Sequence, residues 1–530
     1  MEKQPTPDQQ KIIDFDGSCV VIAKPGTGKT LTLSYKIRKN LAELPYYKGV
    51  IAISYTNKAS DELEKRSLAT GVERKNSFFG TIDKFFLAEI IMPFGERVLG
   101  KPVENLSVTK FSELDANKFK NYDSQKTDAE NIDFFSAVFQ GGWILLEKIG
   151  FLAIHILERS AACQQYLKAR YSHVIIDEYQ DCGDWQHLMF MRLVEFGLIG
   201  VAVGDIDQSI FAFAGKSSKH LSYLATQTES YKTFQLVENH RCHTSIVNYS
   251  SRLLSKIYEI QPTNEIRVYE KRLVGADLET AQWLSGFIPT FSQHFGVTNL
   301  NRVGILFTNS TTGNLIHKNL TIPHKSLAAT PLDDDSSLWG SVFRKILNWA
   351  YSPDLTKYEM VEQFLNIDFQ IKTVRKVMNL LYDLEHKVSP GINLSDHLGP
   401  FIEIAETLFP TARTHKSIEN LTSVLRAPIF LSSFMPANDN EVQLLTLHKS
   451  KGLEFEIVFH LNLHRWILPK YKGDYYQDLN LHYVGITRAK KCCVLCTSSR
   501  RQQGTEQTTD AEPSEFLDMS DLPKLRLSLR

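Results

Sequence analysis

The chain has 530 residues, 60 lysines and arginines against 60 aspartates and glutamates, and 43% hydrophobic residues. That length predicts three or four domains, and the hydrophobic content excludes a wholly disordered chain. Zero formal charge excludes binding of nucleic acid by a bulk positive field, but leaves room for a local basic track.

No apolar run reaches the roughly 18 residues of a membrane span. Met1–Pro5 lacks the apolar segment of a signal peptide, and an odd, sparse count of seven cysteines suits a reducing compartment. A cytoplasmic protein with no membrane contact is therefore expected.

In chain order, the first apolar run, Cys19–Ala23, reads as a strand buried on both faces. It leads into Ala23-Lys24-Pro25-Gly26-Thr27-Gly28-Lys29-Thr30 and then a helical run. This is the pattern of a phosphate-binding loop with Ala23 in place of its first glycine. Gly26 and Gly28 let backbone N–H groups close on phosphates at a helix N-terminus, whose dipole favours anions. Lys29 is placed to reach the β- and γ-phosphates and Thr30 to ligate Mg²⁺. A chance glycine-rich turn is disfavoured by the strand before it and the Gly-Lys-Thr that ends it.

Val50–Ser54 is the second predicted strand. Residues 96–170 interrupt the rhythm, with a polar loop over Asp123–Asn131 and a helix over Trp143–Leu157. Val174–Ile176 is a strand ending in Asp177-Glu178-Tyr179-Gln180-Asp181. Adjacent acids at a strand end are common in solvated turns. Opposite a phosphate loop, Asp177 would hold Mg²⁺ and Glu178 would polarise the attacking water.

Val201–Val203, Val303–Phe307, Val442–Leu447 and Ile457–Leu461 complete the predicted strands. Residues 337–428 read as helical, from apolar spacings of three and four: Phe343, Ile346, Leu347 and Ala350; Ile371, Val374, Met378 and Leu381; Leu421, Val424 and Leu425. Cys492, Cys493 and Cys496 have no second cysteine pair to complete a zinc or iron–sulfur site, and read as small apolar residues of a buried strand. Arg501–Ser514 is polar and turn-rich, the composition of a mobile tail. The expected architecture is α/β: two parallel-sheet domains, each with a mostly helical insertion. The boundaries are drawn at 1–95, 96–170, 171–235, 236–336, 337–435, 436–500 and a tail at 501–530.

Seven elements, taken in order, resemble the UvrD/Rep-type helicases of superfamily 1. Gln9 in Pro7-Asp8-Gln9-Gln10 matches the family's adenine-reading glutamine, and Tyr55-Thr56-Asn57-Lys58-Ala59 an element that lies along single-stranded DNA. Asp177–Asp181 matches DE[FY]QD. Gly204-Asp205-Ile206-Asp207-Gln208-Ser209-Ile210-Phe211 resembles GDxxQSIY, and Asn239-His240-Arg241-Cys242 stands where the family has NYRS. Thr446–Phe455 matches TxHxxKGLEF, and Tyr483–Lys490 matches YVAxTRAK.

The resemblance implies two tandem RecA-like domains of the P-loop NTPase class, with ATP and Mg²⁺ as cofactors. Ala23, Gly26, Thr27, Gly28, Lys29, Thr30, Asp177, Glu178 and Gln208 (the γ-phosphate sensor) would form one wall of the cleft. Arg241 and Arg488 would approach from the other as arginine fingers, so that closure assembles the catalyst. Glu454 would hold the ribose, and His240 would lie against the adenine. Tyr55, Asn57, Lys58, Phe211, Phe213 and His448 would line a single-stranded DNA track, the aromatics stacking on bases, with Lys84 and Lys451 as phosphate contacts.

Three positions depart from the family: His240 replaces a tyrosine, Ala214 replaces an arginine, and Phe79–Lys84 stands where GTxHS is usual. The second insertion is also short. A compact chain of this kind resembles the helicase-like subunit of Gabija-type anti-phage systems, which associates with an ATPase–nuclease of the OLD type. The expected function is an ATP-dependent motor moving 3′→5′ on single-stranded DNA within such a complex. The alternative is a DNA-sensing ATPase subunit that controls a partner nuclease without processive unwinding.

Overall fold

Apolar runs of four to six residues bounded by turns become parallel strands here, because a strand covered on both faces needs no polar alternation. In the computed structural model the chain forms two units. One comprises Met1–Gly80, Arg170–Leu327 and Ala437–Arg530, and the other Thr81–Ala169 and Ala328–Pro436. The structure describes residues 4–529 except positions 56, 70, 104–105, 110, 112–113, 115–120, 209–217, 327–329, 334, 336, 352–355, 363, 366–370, 386–397 and 504–506.

The first unit holds two parallel sheets. One has six strands in the spatial order Phe78–Gly80, Gly49–Ile53, Tyr171–Ile176, Ile199–Gly204, Cys19–Ala23 and Lys232–Leu236. Its register aligns Ile53 with Ile176, Ile176 with Ala202, Ile22 with Gly204, and Ala23 with Leu236. The carboxyl ends of five strands therefore lie side by side, and the five loops leaving them emerge on one edge. That edge is where an open α/β sheet binds ligands.

The other sheet has seven strands: His324–Ser326, Val442–Thr446, Val303–Phe307, Phe455–His460, Ala489–Ser498, Val268–Leu273 and Leu527–Ser528. Alternate residues of the long strand Ala489–Ser498 feed two cores. Cys492, Val494 and Cys496 pack on one face, and Cys493 and Leu495 on the other. All three cysteines are free and buried, and burial pushes the Cys493 and Cys496 thiols well above the usual range. Among the described residues no group of three His, Cys, Asp or Glu is placed to hold a metal.

The second unit is mostly helical. One of its cores gathers Trp339, Phe343, Ile346 and Leu347 of Leu338–Tyr351 with Phe401, Leu421 and Val424. The predicted helix at 371 is present as Ile371–Glu385, but its buried face is Val374, Val377, Leu381 and Leu384, and Ile371 is exposed at the first turn.

Two sequence expectations change. Trp143–Leu157 does not start as a helix: Trp143–Leu145 pairs in parallel with Ser107–Thr109, a short 3₁₀ turn follows, and the helix runs over Ile149–Arg159. Gly141-Gly142, with Gly142 at φ 89°, ends the preceding helix and lets this apolar triplet extend. The polar tail is also structured. Arg500–Gln503 and Gln507–Asp510 form an antiparallel ladder, Phe516, Leu517 and Leu522 are buried in the second-sheet core, and Leu527–Ser528 extends that sheet. Three apolar residues just past the polar run anchor the end of the chain in that core.

Candidate nucleotide site

The loop after Cys19–Ala23 is shaped by two glycines. Gly26 and Gly28 sit at φ 74° and 80°, in the left-handed region open to glycine. A side chain at Gly26 would meet Asn239 Oδ1 at 2.6 Å and Arg241 Cβ at 2.8 Å, and one at Gly28 would meet Gln9 Nε2 at 2.6 Å. The loop is thus enclosed by the helix bearing Gln9 and by the segment that leaves the first sheet for the second. Thr27 closes it internally, donating from Oγ1 to Lys24 O at 2.8 Å.

Gln9 is placed by a capping box. Its Oε1 accepts from Thr6 N at 2.9 Å and Thr6 Oγ1 accepts from Gln9 N. Its Nε2 then donates to Thr27 O at 2.9 Å. Buried Lys36, on the helix that follows the loop, donates to Ile12 O and Phe15 O and holds this first helix down.

Lys29 begins the helix Lys29–Glu43, and its ammonium is buried with no hydrogen-bond partner among the described residues. It lies within electrostatic reach of Asp177, Glu178 and Asp205. Thr30 Oγ1 is 3.5 Å from Asp177 Oδ2. Burial raises Asp177, and the neighbouring Glu178 charge raises it further. Burial also opposes ionisation of Glu178, but Lys29 and Lys451 outweigh it and hold that carboxylate below its usual range. Asp205 is pushed up to about 6 by burial, against the pull of Lys29. Glu178 is itself left-handed, at φ 57°. For a non-glycine residue this is a strain of about 1–3 kcal/mol, of the kind that collects at functional sites.

The donor set fits the nucleotide and the dication that such loops hold. A partnerless buried ammonium and a glycine cradle at a helix N-terminus suit a polyphosphate. A carboxylate beside a threonine hydroxyl suits Mg²⁺, which takes few protein ligands.

The second sheet brings its residues to the same place. Phe455 aligns with Ala489, so the preceding residues, Glu454 and Arg488, are neighbours. His240 N donates to Gly26 O, Asn239 Nδ2 donates to Pro25 O, and Asn239 Oδ1 accepts from the N–H groups of Arg241 and Cys242. Arg241 is paired with Glu454 at 2.6 Å, and Lys490 holds the other Glu454 oxygen at 2.9 Å. Burial tends to raise Glu454, and Arg241 with Lys490 more than reverses it. Arg488 is almost fully buried, and its guanidinium donates to Val484 O, Leu453 O and Thr487 Oγ1. Burial, and then the like charge of Arg241, lower it to about 10.

Lys451, expected as a phosphate contact, is engaged within the protein. Its ammonium pairs with the buried Asp181 carboxylate, donates to Gln208 O at 3.0 Å and stands 4.0 Å from Glu178. It also lies 5.9 Å from the ring centre of Tyr55. Gln208 is buried beside it. The imidazole of His448 is pushed down by burial and by the neighbouring Lys470 and Lys451. Phe211, Phe213 and Ala214 lie outside the described residues, as do the side chains of Asn57 and Lys58.

Sequence reasoning missed two amides. Gln180 donates to Glu178 Oε2 and accepts from Asp205 N, tying the two acid-bearing loops together. Asn239 is the clasp on the phosphate loop. Both stand inside motifs read for their charges, and the groups they hold, Pro25 O and Asp205 N, lie at positions remote in sequence. The Lys24–Asp207 ion pair was also missed, being 183 positions apart.

Comparison with known proteins bears on this geometry. An AAA-domain profile matches residues 9–214, and the profile of the UvrD-like helicase C-terminal domain matches residues 349–500. The chain is 28% identical to Gabija protein GajB of Bacillus cereus (strain VD045), over 93% of this chain and 95% of that one. It is 23% identical to ATP-dependent DNA helicase Rep of Escherichia coli (strain K12), over 96% and 93%. It is 20% identical to ATP-dependent DNA helicase PcrA of Bacillus subtilis (strain 168), over 93% and 82%. Both profiles and the near full-length relatives agree with two parallel sheets around a phosphate loop: the chain carries an AAA domain and a UvrD-like helicase C-terminal domain, the tandem RecA-like architecture of an ATP-hydrolysing helicase.

Proposed function

We propose that the chain is an ATP- and Mg²⁺-dependent motor on single-stranded DNA, working as the helicase-type subunit of an anti-phage complex with a partner nuclease. The observation that carries the motor reading is the buried, partnerless Lys29 ammonium facing three acids, with Arg241 and Arg488 close by. Lys29 and the loop N–H groups would bind the triphosphate, and Thr30 and Asp177 would hold Mg²⁺. Glu178 would orient the attacking water and Gln208 would report on the γ-phosphate. Arg241 and Arg488 would neutralise charge developing at the transferred group. Gln9 and His240 would meet the base and Glu454 the ribose. The DNA track would run past Tyr55 and His448 and include Asn57, Lys58, Phe211 and Phe213. Likeness to GajB along nearly the whole chain supports the defence role.

One observation favours the regulatory alternative. Arg241 is held by Glu454 and Lys451 by Asp181, so both cations are engaged by protein carboxylates. Such a cleft suits a gate as well as a motor. The deciding experiment measures ATP turnover with and without single-stranded DNA, beside strand displacement from 3′-tailed and 5′-tailed duplexes. The motor reading expects stimulated turnover and displacement from the 3′-tailed substrate. Stimulation without displacement favours the sensor, and displacement from the 5′-tailed duplex alone reverses the polarity.

A further inference from the structure

The segment that follows strand Phe455–His460 exposes aromatic rings although it is firmly tied. Trp466 is 47% exposed and Tyr471 63%. Their rings meet edge to face at 4.9 Å between centres, the Arg465 guanidinium lies 4.7 Å from the Trp466 ring, and Lys472 Nζ lies 5.4 Å from the Tyr471 ring.

The backbone beneath is fixed. Leu468 is fully buried in the second-sheet core, and the N–H groups of Ile467 and Leu468 both donate to His464 O. Lys470 N donates to Asp478 Oδ2 at 2.6 Å, and Ser514 Oγ donates to Leu468 O. Trp466 takes φ 71°, a left-handed conformation costly for a bulky residue, yet its ring gains little burial from it. Packing within the chain therefore does not account for the presentation of these rings. A rigid, solvent-facing display of ring faces interleaved with cations is the chemistry that takes up stacked bases and the phosphates between them. The segment also adjoins the DNA track, because Lys470 stands close enough to His448 to depress its imidazole.

We propose that Arg465–Lys472 is a platform for single-stranded nucleic acid, stacking bases on Trp466 and Tyr471 and holding phosphates with Lys470 and Lys472. The inference rests on the single-strand reading above and extends that track beyond the positions assigned from sequence motifs.

The test is equilibrium binding of fluorescein-labelled oligo(dT) to the full chain without nucleotide, across a salt series. Trp466→Ala and Tyr471→Ala are each expected to weaken binding by on the order of tenfold, and Trp466→Phe to retain most of the affinity. Lys470→Gln with Lys472→Gln should reduce the slope of log affinity against log salt by about 0.7 per charge. Tyr471 and both lysines are exposed, so these variants test the platform even if Trp466→Ala fails to fold. Wild-type affinity and salt slope in the Tyr471→Ala and double-lysine variants would overturn the platform while leaving the rest of the track standing. A wild-type chain that ignores oligo(dT) would overturn the single-strand reading itself, and this inference with it. If the same variants release a co-purifying protein but keep oligo(dT) affinity, the surface serves a protein partner and the proposal is wrong.

Discussion

The two parallel sheets serve the same site with opposite chemistry. The first presents its groups from loops at the carboxyl ends of its strands: the phosphate loop after Ala23, Asp177 and Glu178 after Ile176, Asp205 and Gln208 after Gly204, and Asn239 after Leu236. The second presents Glu454 and Arg488 from positions just ahead of its strands, and Lys451 from the turn between two of them. At the phosphate loop a carboxyl end runs into a helix N-terminus, where backbone N–H groups meet anions. An amino end offers no such donors, so that wall works with long cationic side chains. The first wall is accordingly fixed by backbone shape, as the Gly26 contacts require. The second is set by ion pairs, Arg241 with Glu454 and Lys451 with Asp181, which a ligand can exchange.

The contrast breaks most sharply in catalysis. Lys29→Ala on the first wall and Arg488→Lys on the second are each expected to lower ATP turnover by about 10³-fold or more. The lysine variant keeps a charge but loses the planar fork of donors. Steady-state hydrolysis decides it, and near-normal turnover in Arg488→Lys would reduce the second wall to a scaffold.

A smaller effect is expected at the bridge between the walls. Lys451→Met leaves the Asp181 carboxylate, whose side chain is fully buried, without its cation. The expected cost is about 3–5 kcal/mol in chemical denaturation. Adding Asp181→Leu should recover most of it, because no uncompensated charge is then buried. If the double variant is no more stable than the single one, the pair is not what joins the loops.

The smallest effect is read in acid. His460 and His482 form a buried pair under the second sheet, with His482 Nδ1 3.1 Å from His460 Nε2. Burial lowers His460 to about 4 and His482 well below its usual value. The unfolded chain takes up these protons first, so stability is full above about pH 6.5 and falls as pH drops toward 4. His460 alone should cost about 2 kcal/mol by pH 5. Denaturation midpoints across that range check it, and a flat profile would mean that the pair opens to water.

Much of this was legible from residue order. Strand Cys19–Ala23 and the loop after it were readable because an apolar run and a glycine-lysine-threonine turn are local patterns, and strand Val303–Phe307 has the bounds its sequence suggested. Strands Lys232–Leu236 and Val268–Leu273 were not readable. Lys232–Leu236 carries its charge at a sheet flank, and Val268–Leu273 carries a buried Glu270 that only its partners Arg272 and Arg526 make tolerable. The tail was misjudged because its anchors are three apolar residues among many polar ones, and only a waiting core makes them decisive.

Sequence by itself determined the phosphate loop, the acids opposite it and the tandem α/β architecture, because each is written in local periodicity or in a motif whose chemistry needs those residues at that spacing. Only the tertiary structure decided which charges meet. Lys451 belongs to Asp181 across 270 positions and Arg241 to Glu454, because ion pairing depends on distance and burial after folding, and neither quantity exists along an unfolded chain.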